Sequence, residues 1–421
     1  MRFVPLLLAL AGCSGQWAAL RKSAGVISLP RELVVHSELA LPDGAHDLEV
    51  VGAPSVLRVA KDFRGRAVFT VKSGARVRFR DFVIYGERNT IEQRQGLPDS
   101  ATPFARFTQN NGILVEGSSD LSVSGVEFRD VAGFPILVSG SKGIRIERVR
   151  ITDSGSRNAA GRNNTTGGIL LEEGTSDFRV IDCRLENIRG NGIWTHSLYT
   201  SPRNAEGLIE GNRFDTVGRD AIQVGHATRV RVTRNTGRRI GYPEPDVDAI
   251  PVAIDTAGNT DASAYTANQF QDINGKCIDL DGFHHGEVTG NMCTNLQNFG
   301  VVMNNTNPDM QADGVTIAEN TIDGAKYGGI FVIGSGNKIL RNRLLNLNTS
   351  KCADCYYRAD EPDMLRSGIY LGRGAERPAI ARGNVIEGNE ISGFRMRTRC
   401  VGMAPGVSRA ENRVLGNRCM E

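Results

Sequence analysis

Residues 298–333, NFGVVMNNTNPDMQADGVTIAENTIDGAKYGGIFVI, hold one unit of the chain and the start of the next. A glycine-led apolar strand, Phe299 to Met303, leads through a polar corner to Gly314-Val315-Thr316-Ile317. It turns at Asn320, adds Thr321-Ile322, and returns to a second glycine-led strand at Gly328-Gly329-Ile330-Phe331-Val332. Apolar residues alternate at a spacing of two, the period of a strand with one buried face. An α-solenoid would need spacings of three and four, and these segments are crowded with Gly, Asn, Val and Ile instead.

The same template gives corresponding starts at Ile113, Ile136, Ile169, Ile193, Ile222, Ile250, Ile278, Val301, Ile330 and Ile369. The shortest unit is about 23 residues, lengthened elsewhere by insertions, whereas propeller blades run near 40 or more. A second series lies on the far side of the unit: Asn212, Asn235, Asn268, Asn291, Asn320, Asn342 and Asn389, all but Asn235 two positions before an apolar residue. Asparagine tolerates the left-handed backbone of a sharp bend, and stacked Asn side chains can hydrogen-bond in a ladder. The pattern predicts a parallel β-helix.

On these residues the chain resembles the pectate-lyase-like superfamily, and the resemblance covers roughly residues 45–419. It implies an all-β, single-stranded right-handed parallel β-helix with three strands per coil and an asparagine ladder at the second turn, here about 11 to 13 coils. Function does not follow from that fold.

Residues 1–12 read as a secretory signal, with a basic start, a short apolar run from Phe3 to Leu10 and small residues before Cys13. Leu10-Ala11-Gly12-Cys13 resembles the bacterial lipoprotein box, which implies lipidation of Cys13 and residence in the cell envelope, at the outer membrane facing the periplasm or the surface; the alternative is an ordinary signal peptide and a secreted protein. Attachment to a membrane is expected through lipid alone. Residues 13–30 read as a tether and 31–421 as the β-helix domain, opening with irregular capping coils and closing with a cap from Cys400 to Glu421.

Fifty basic and 47 acidic side chains leave a net charge of +3, with the arginines scattered over every coil, which argues against a nucleic-acid binder. Disulfides persist outside the cytoplasm, so Cys352–Cys355 and Cys400–Cys419 are expected to be bonded. Cys277 and Cys293 could pair across a coil, or Cys293 could be plain core. Cys183 stands at the ladder position that Asn takes in later coils and reads as a buried free thiol.

Four insertions, 86–111, 153–167, 237–248 and 346–367, enter just before glycine-led strands and stack on one edge of the coil. Long loops on one side favour a cleft wall. Counting outward from the inward Ile or Val, a first column reads Leu114, Leu137, Leu170, Trp194, Gln223, Pro251, Asp279, Val302, Phe331, Tyr370. A second reads Glu116, Ser139, Glu172, His196, Gly225, Ala253, Asp281, Asn304, Ile333, Gly372.

Polar groups concentrate in the middle coils, as do four of the six histidines, His196, His226, His284 and His285. Glu172 and His196 should be neighbours in one column, a carboxylate beside an imidazole suited to proton transfer. Asp279 and Asp281 share a face with Asp255 one coil earlier, which suits Ca²⁺ binding or acid–base cleavage of a glycosidic bond. No cofactor is otherwise required. Asp220 and Asp248 read as corner caps. Candidate sugar contacts are Trp194, Gln223, Asp255, His284, Asn304 and Tyr370, the two aromatics offering flat faces.

The resemblance implies a polysaccharide or oligosaccharide lying along this sheet, and a carbohydrate-active enzyme. A lyase would use His196 or His226 as base, with Ca²⁺ at Asp279 and Asp281 or an arginine (Arg157, Arg162 or Arg239) against the substrate carboxylate. A hydrolase would use Glu172 with Asp279 or Asp281. No adjacent Asp-Asp pair occurs, so the polygalacturonase pattern is missing. The other class of reading is a non-catalytic lipoprotein that binds glycan or protein. An enzyme predicts that Glu172, His196, His226, Asp255, Asp279 and Asp281 converge.

Overall fold

Alternation at a period of two makes each short segment a strand with one buried face, and the corners between them let every coil stack on the last. The computed structural model describes residues 20–421 except 24, 93–98, 244–248, 307–311 and 375–376. The signal segment, Cys13, Arg94, Pro98 and Asp248 lie outside the described residues. The chain winds as a parallel β-helix with three walls. The first wall carries the glycine-led strands, such as Asn111–Glu116, Gly167–Glu172, Asn191–His196, Ile222–Val224 and Val301–Asn304. The second includes Ser176–Ile181, Asn204–Glu210 and Ala227–Thr233, and the third Arg184–Ile188, Arg213–Val217 and Thr236–Ile240. Successive strands within each wall pair in parallel register. Val252–Asp261 and Lys276–His284 run unbroken from the first wall into the second.

The inward column of the first wall is Ile113, Ile136, Ile169, Ile193, Ile222, Ile254, Ile278, Val301, Ile330 and Ile369. Ile254, not the expected Ile250, stacks between Ile222 and Ile278, and Ile250 stands 46% exposed on the rim. The first outward column therefore carries Asp255 in place of Pro251, and the second Ala257 in place of Ala253.

The ladder forms. Each Nδ2 of Asn212, Asn235, Asn268, Asn291, Asn320 and Asn342 donates to the Oδ1 of the next ladder asparagine at 2.9 Å, and Asn389 extends the chain of contacts to Asn417. Cys183 heads it as a buried free thiol whose backbone N–H donates to Asn212 Oδ1. The ladder asparagines themselves are not left-handed. The residue before each takes that conformation, as at Gly211 (φ +66°), Arg234 (φ +53°) and Glu319 (φ +58°). The amide side chain is selected for its paired donor and acceptor, not for backbone tolerance.

Residues 20–30 are not a tether. Arg21–Ser23 and Val26–Ser28 pair antiparallel, the latter continues in parallel onto Glu49–Val51, and Leu20, Ile27 and Leu29 join the core. Cys277–Cys293, Cys352–Cys355 and Cys400–Cys419 are all disulfides. The four insertions enter at the corner between the third and first walls, the third of them after the strand Thr236–Ile240 has ended.

Candidate active site on the first wall

One insertion closes half of the expected groove. Its short helix, Phe104–Phe107, lies on the outward face of the first wall. There Leu114, Leu137 and Leu170 are fully buried with Ala105 and Phe134, and Trp194 packs on this cluster. Phe104 meets the indole of Trp194 at 4.8 Å and the imidazole of His196 at 5.2 Å, both edge to face. Trp194 is thus no open sugar platform. Glu172 is fully buried, and its carboxyl accepts the backbone N–H of Phe104 (2.9 Å) and of Ala105 (2.8 Å). It caps a helix from two coils away, which accounts for it without catalysis. Burial pushes its pKa up to about 7, and burial takes His196 down to about 4. His226 is also lowered, first by burial and then by Arg203, and its ring packs against Tyr199. None of these three reaches the aspartates that line the open part of the wall.

That open part is a pocket of about 640 Å³, lined by Asp220, Asp255, Lys276 and Asp279 with Arg219 and the rim residues Ile250 and Pro251. Asp255 and Asp279 are register partners on adjacent strands, so they project side by side from the first outward column. A polar relay leads to them: Asn191 Nδ2 donates to Gln223 Oε1 at 2.7 Å, and Gln223 Nε2 donates to Asp255 Oδ2 at 2.5 Å. Burial, reinforced by Asp220 and Asp279, holds the Asp255 carboxyl well above the usual range. Burial also pushes Asp220 up to about 6, although Arg219 and the Val252 N–H, which donates to Asp220 Oδ1 at 2.8 Å, act the other way. Lys276 forms an ion pair with Asp279. Burial alone would lower the ammonium, but Asp279, Asp255 and Asp220 together hold it above the ordinary lysine range. This cation supplies the charge that the sequence reading gives to Ca²⁺.

Asp281 is elsewhere engaged, accepting the Thr306 backbone N–H at 2.9 Å and its hydroxyl at 2.5 Å. Asn304 is its register neighbour. Tyr370 is 1% exposed and stacked on Phe331, so it offers no face to a sugar. His284 lies at the next corner, against Asp261. Arg239 pairs with Asp215 on the third wall; the arginine at the pocket is Arg219. The third wall has its own concavity of about 450 Å³, where both carboxylates are taken up by arginines, Asp215 by Arg238 and Arg239, and Glu186 by Arg150 and Arg184.

The six residues expected to converge therefore separate into a capped, aromatic-covered group (Glu172, His196, His226), a pocket pair (Asp255, Asp279) and a loop anchor (Asp281). Sequence reasoning missed Arg219 and Lys276, and gave Asp220 only its capping role. The signal was present: Asp220 and Lys276 each stand two residues before an inward isoleucine, Ile222 and Ile278.

A family model described as right handed beta helix region matches residues 104–242 and 252–418. No protein of curated function matches the sequence. Solved structures with a similar fold include PfbA, a surface adhesin of Streptococcus pneumoniae, at 14% identity and TM-score 0.55, with 77% of this chain and 84% of that chain covered. The catalytic domain of a GH87 α-1,3-glucanase in complex with nigerose matches at 12% identity and TM-score 0.61, covering 93% of this chain and 64% of that one. DFA-IIIase from Arthrobacter chlorophenolicus A6 in complex with GF2 matches at 13% identity and TM-score 0.54, covering 92% and 87%.

Proposed function

The chain belongs to the right-handed β-helix family, and from that premise we propose a carbohydrate-active enzyme that hydrolyses a glycosidic bond in the pocket formed by Asp220, Asp255, Lys276 and Asp279. The observation that carries this reading is the unequal environment of two adjacent carboxyls. Asp255, buried and flanked by two other aspartates, has its carboxyl held well above the usual carboxylate range and serves as general acid to the leaving oxygen. Asp279, paired with Lys276, is the group that activates water or attacks the sugar. Asp220 raises the affinity of Asp255 for its proton, and Arg219 and the rim at Ile250 and Pro251 contact the bound sugar. The complexes of the glucanase with nigerose and of DFA-IIIase with GF2, on the same fold, support a sugar as the ligand class.

A lyase is less well supported, because His196 is covered by Phe104 and Trp194 and, among the described residues, Arg219 is the one arginine that lines the pocket. We further propose export, with lipid attachment at Cys13; three disulfides favour an oxidising compartment. The test is a panel of neutral and acidic polysaccharides, with reducing ends and the ultraviolet absorbance of unsaturated uronate both followed. Hydrolysis yields reducing ends alone, and Asp255→Asn and Asp279→Asn each lower turnover by about 10²–10⁴-fold with binding retained. Binding with no turnover on any polymer would leave instead the non-catalytic module.

A further inference from the structure

At the corner where the first wall turns into the second, a separate group of side chains comes together. Asp261 and His284 are register partners on adjacent strands, and His285 follows at the turn. Asp261 Oδ1 lies 3.4 Å from His284 Nε2 and 3.1 Å from His285 Nδ1, and the three ligand atoms all lie within 4.8 Å of one another. Four bonds of about 2.0–2.2 Å in a tetrahedron separate neighbouring ligand atoms by roughly 3.3 Å, so these spacings fit a single small cation.

A second observation points the same way. His284 Nδ1 is 3.1 Å from the Gly282 carbonyl, which can only accept, so that nitrogen carries the proton. Nε2, the other ring nitrogen, faces the Asp261 carboxylate oxygen. In the neutral imidazole it is an acceptor, and two acceptors facing one another repel unless a proton or a metal cation lies between them. Further out, the Asp313 Oδ1 is buried without a hydrogen bond, 4.0 Å from the other ring nitrogen of His285. A carboxylate behind an imidazole, and a backbone carbonyl behind its neighbour, are the outer contacts that orient histidine ligands at metal sites.

We propose that Asp261, His284 and His285 bind one borderline divalent cation of the zinc class, with Asp313 orienting His285. Two imidazole nitrogens and one carboxylate oxygen suit Zn²⁺ and disfavour Ca²⁺, which takes oxygen ligands. A fourth position is left for water or a ligand group. The site is set apart from the acidic pocket, five residues along the strand from Asp279, at most about 16 Å. It would pin two successive coils together at the rim of the groove.

Titration calorimetry of the tag-free full chain with ZnCl2, and separately with CaCl2, at pH 8 tests it, because ordinary imidazoles are uncharged there and keep one ring nitrogen free as a ligand. The expected result is one saturable equivalent of Zn²⁺, no response to Ca²⁺, and a rise in Tm with Zn²⁺. Asp261→Asn, His284→Ala and the exposed-site variant His285→Ala should each weaken Zn²⁺ binding by at least about tenfold, with Asp313→Asn following the outer-contact range of about 10–100-fold. The His36→Ala variant should bind as the parent does. Absence of saturable Zn²⁺ uptake by the parent chain overturns the proposal, and so does undiminished uptake by the well-folded His285→Ala and Asp261→Asn variants.

Discussion

Glu172 accepts the backbone N–H of Ala105 at 2.8 Å, and with it the N–H of Phe104, so that a carboxyl on one coil terminates a helix belonging to an insertion 67 residues earlier. This contact decides which part of the first wall is open to a ligand. It brings the helix down over Leu137, Leu170 and Trp194 and leaves the open pocket to begin at Asp220 and Asp255. Truncation to Glu172→Ala leaves two buried N–H donors without partners at about 1–3 kcal/mol each. Chemical denaturation should show that loss, and hydrogen exchange at Phe104 and Ala105 should rise.

Glu172 and its register neighbour His196 should drive the pH dependence of stability in opposite senses. The Glu172 pKa is raised from 4.5 to about 7, so its contribution is fully present below 4.5 and lost as pH rises through 7. His196 is lowered from 6.5 to about 4, so its contribution is present above 6.5 and lost as pH falls through 4. Melting curves from pH 4 to 7.5 should then be flat for the parent, fall towards acid for Glu172→Gln, and rise towards acid for His196→Gln. Identical slopes in all three proteins would contradict the assignment.

The pH–rate profile of the proposed hydrolase should respond to the neighbours of its acid and base. Replacing Lys276 by Met removes the cation beside Asp279, raises the carboxylate's proton affinity and moves the acid limb to higher pH. The Asp220→Asn substitution keeps the acceptor for the Val252 N–H but removes a negative charge from Asp255. The basic limb should therefore move to lower pH. Limbs that stay in place in both variants would remove these groups from the reaction.

The Asn ladder should be costly to interrupt. Asn268 donates to Val232 O and Asn291 Oδ1 and accepts from the backbone and side chain of Asn235. Truncation to Asn268→Ala removes this partner from the Val232 carbonyl and from the backbone and side-chain N–H of Asn235, each worth about 1–3 kcal/mol. Urea denaturation should show a loss of several such increments, with Asn268→Asp less damaging than Ala because it retains the acceptor.

The Cys277–Cys293 bond ties the first wall to the third across the core, closing a loop of sequence separation 16. Loops of that length gain about 3 kcal/mol from closure. The double variant Cys277→Ser/Cys293→Ser should lose an amount of that order, read as a lowered denaturation midpoint.

Much of the fold is legible without coordinates because its signals are local. Alternation along Gly167–Glu172 or Val301–Asn304 states which side chains face inward, and the recurring asparagines mark one corner of every later coil. The inward isoleucines, the free Cys183 and the Cys352–Cys355 and Cys400–Cys419 bonds follow from such patterns. Stacking decided the rest. Ile254 takes the inward place expected for Ile250, because the rim insertion before it has a length that carries no periodic mark, and only pairing with Ile222 and Ile278 fixes the register there. That four-residue shift is what brings Asp255 beside Asp279. In the same way, nothing near Glu172 in the chain announces a helix that will cover it, since its partners are Phe104 and Ala105. Sequence determined the winding and the inner face of each strand, because those depend on neighbours two residues apart. Tertiary structure chose which outward carboxyls are capped, paired with a cation or left at a pocket, because that depends on side chains delivered from other coils and from the loops at their edge.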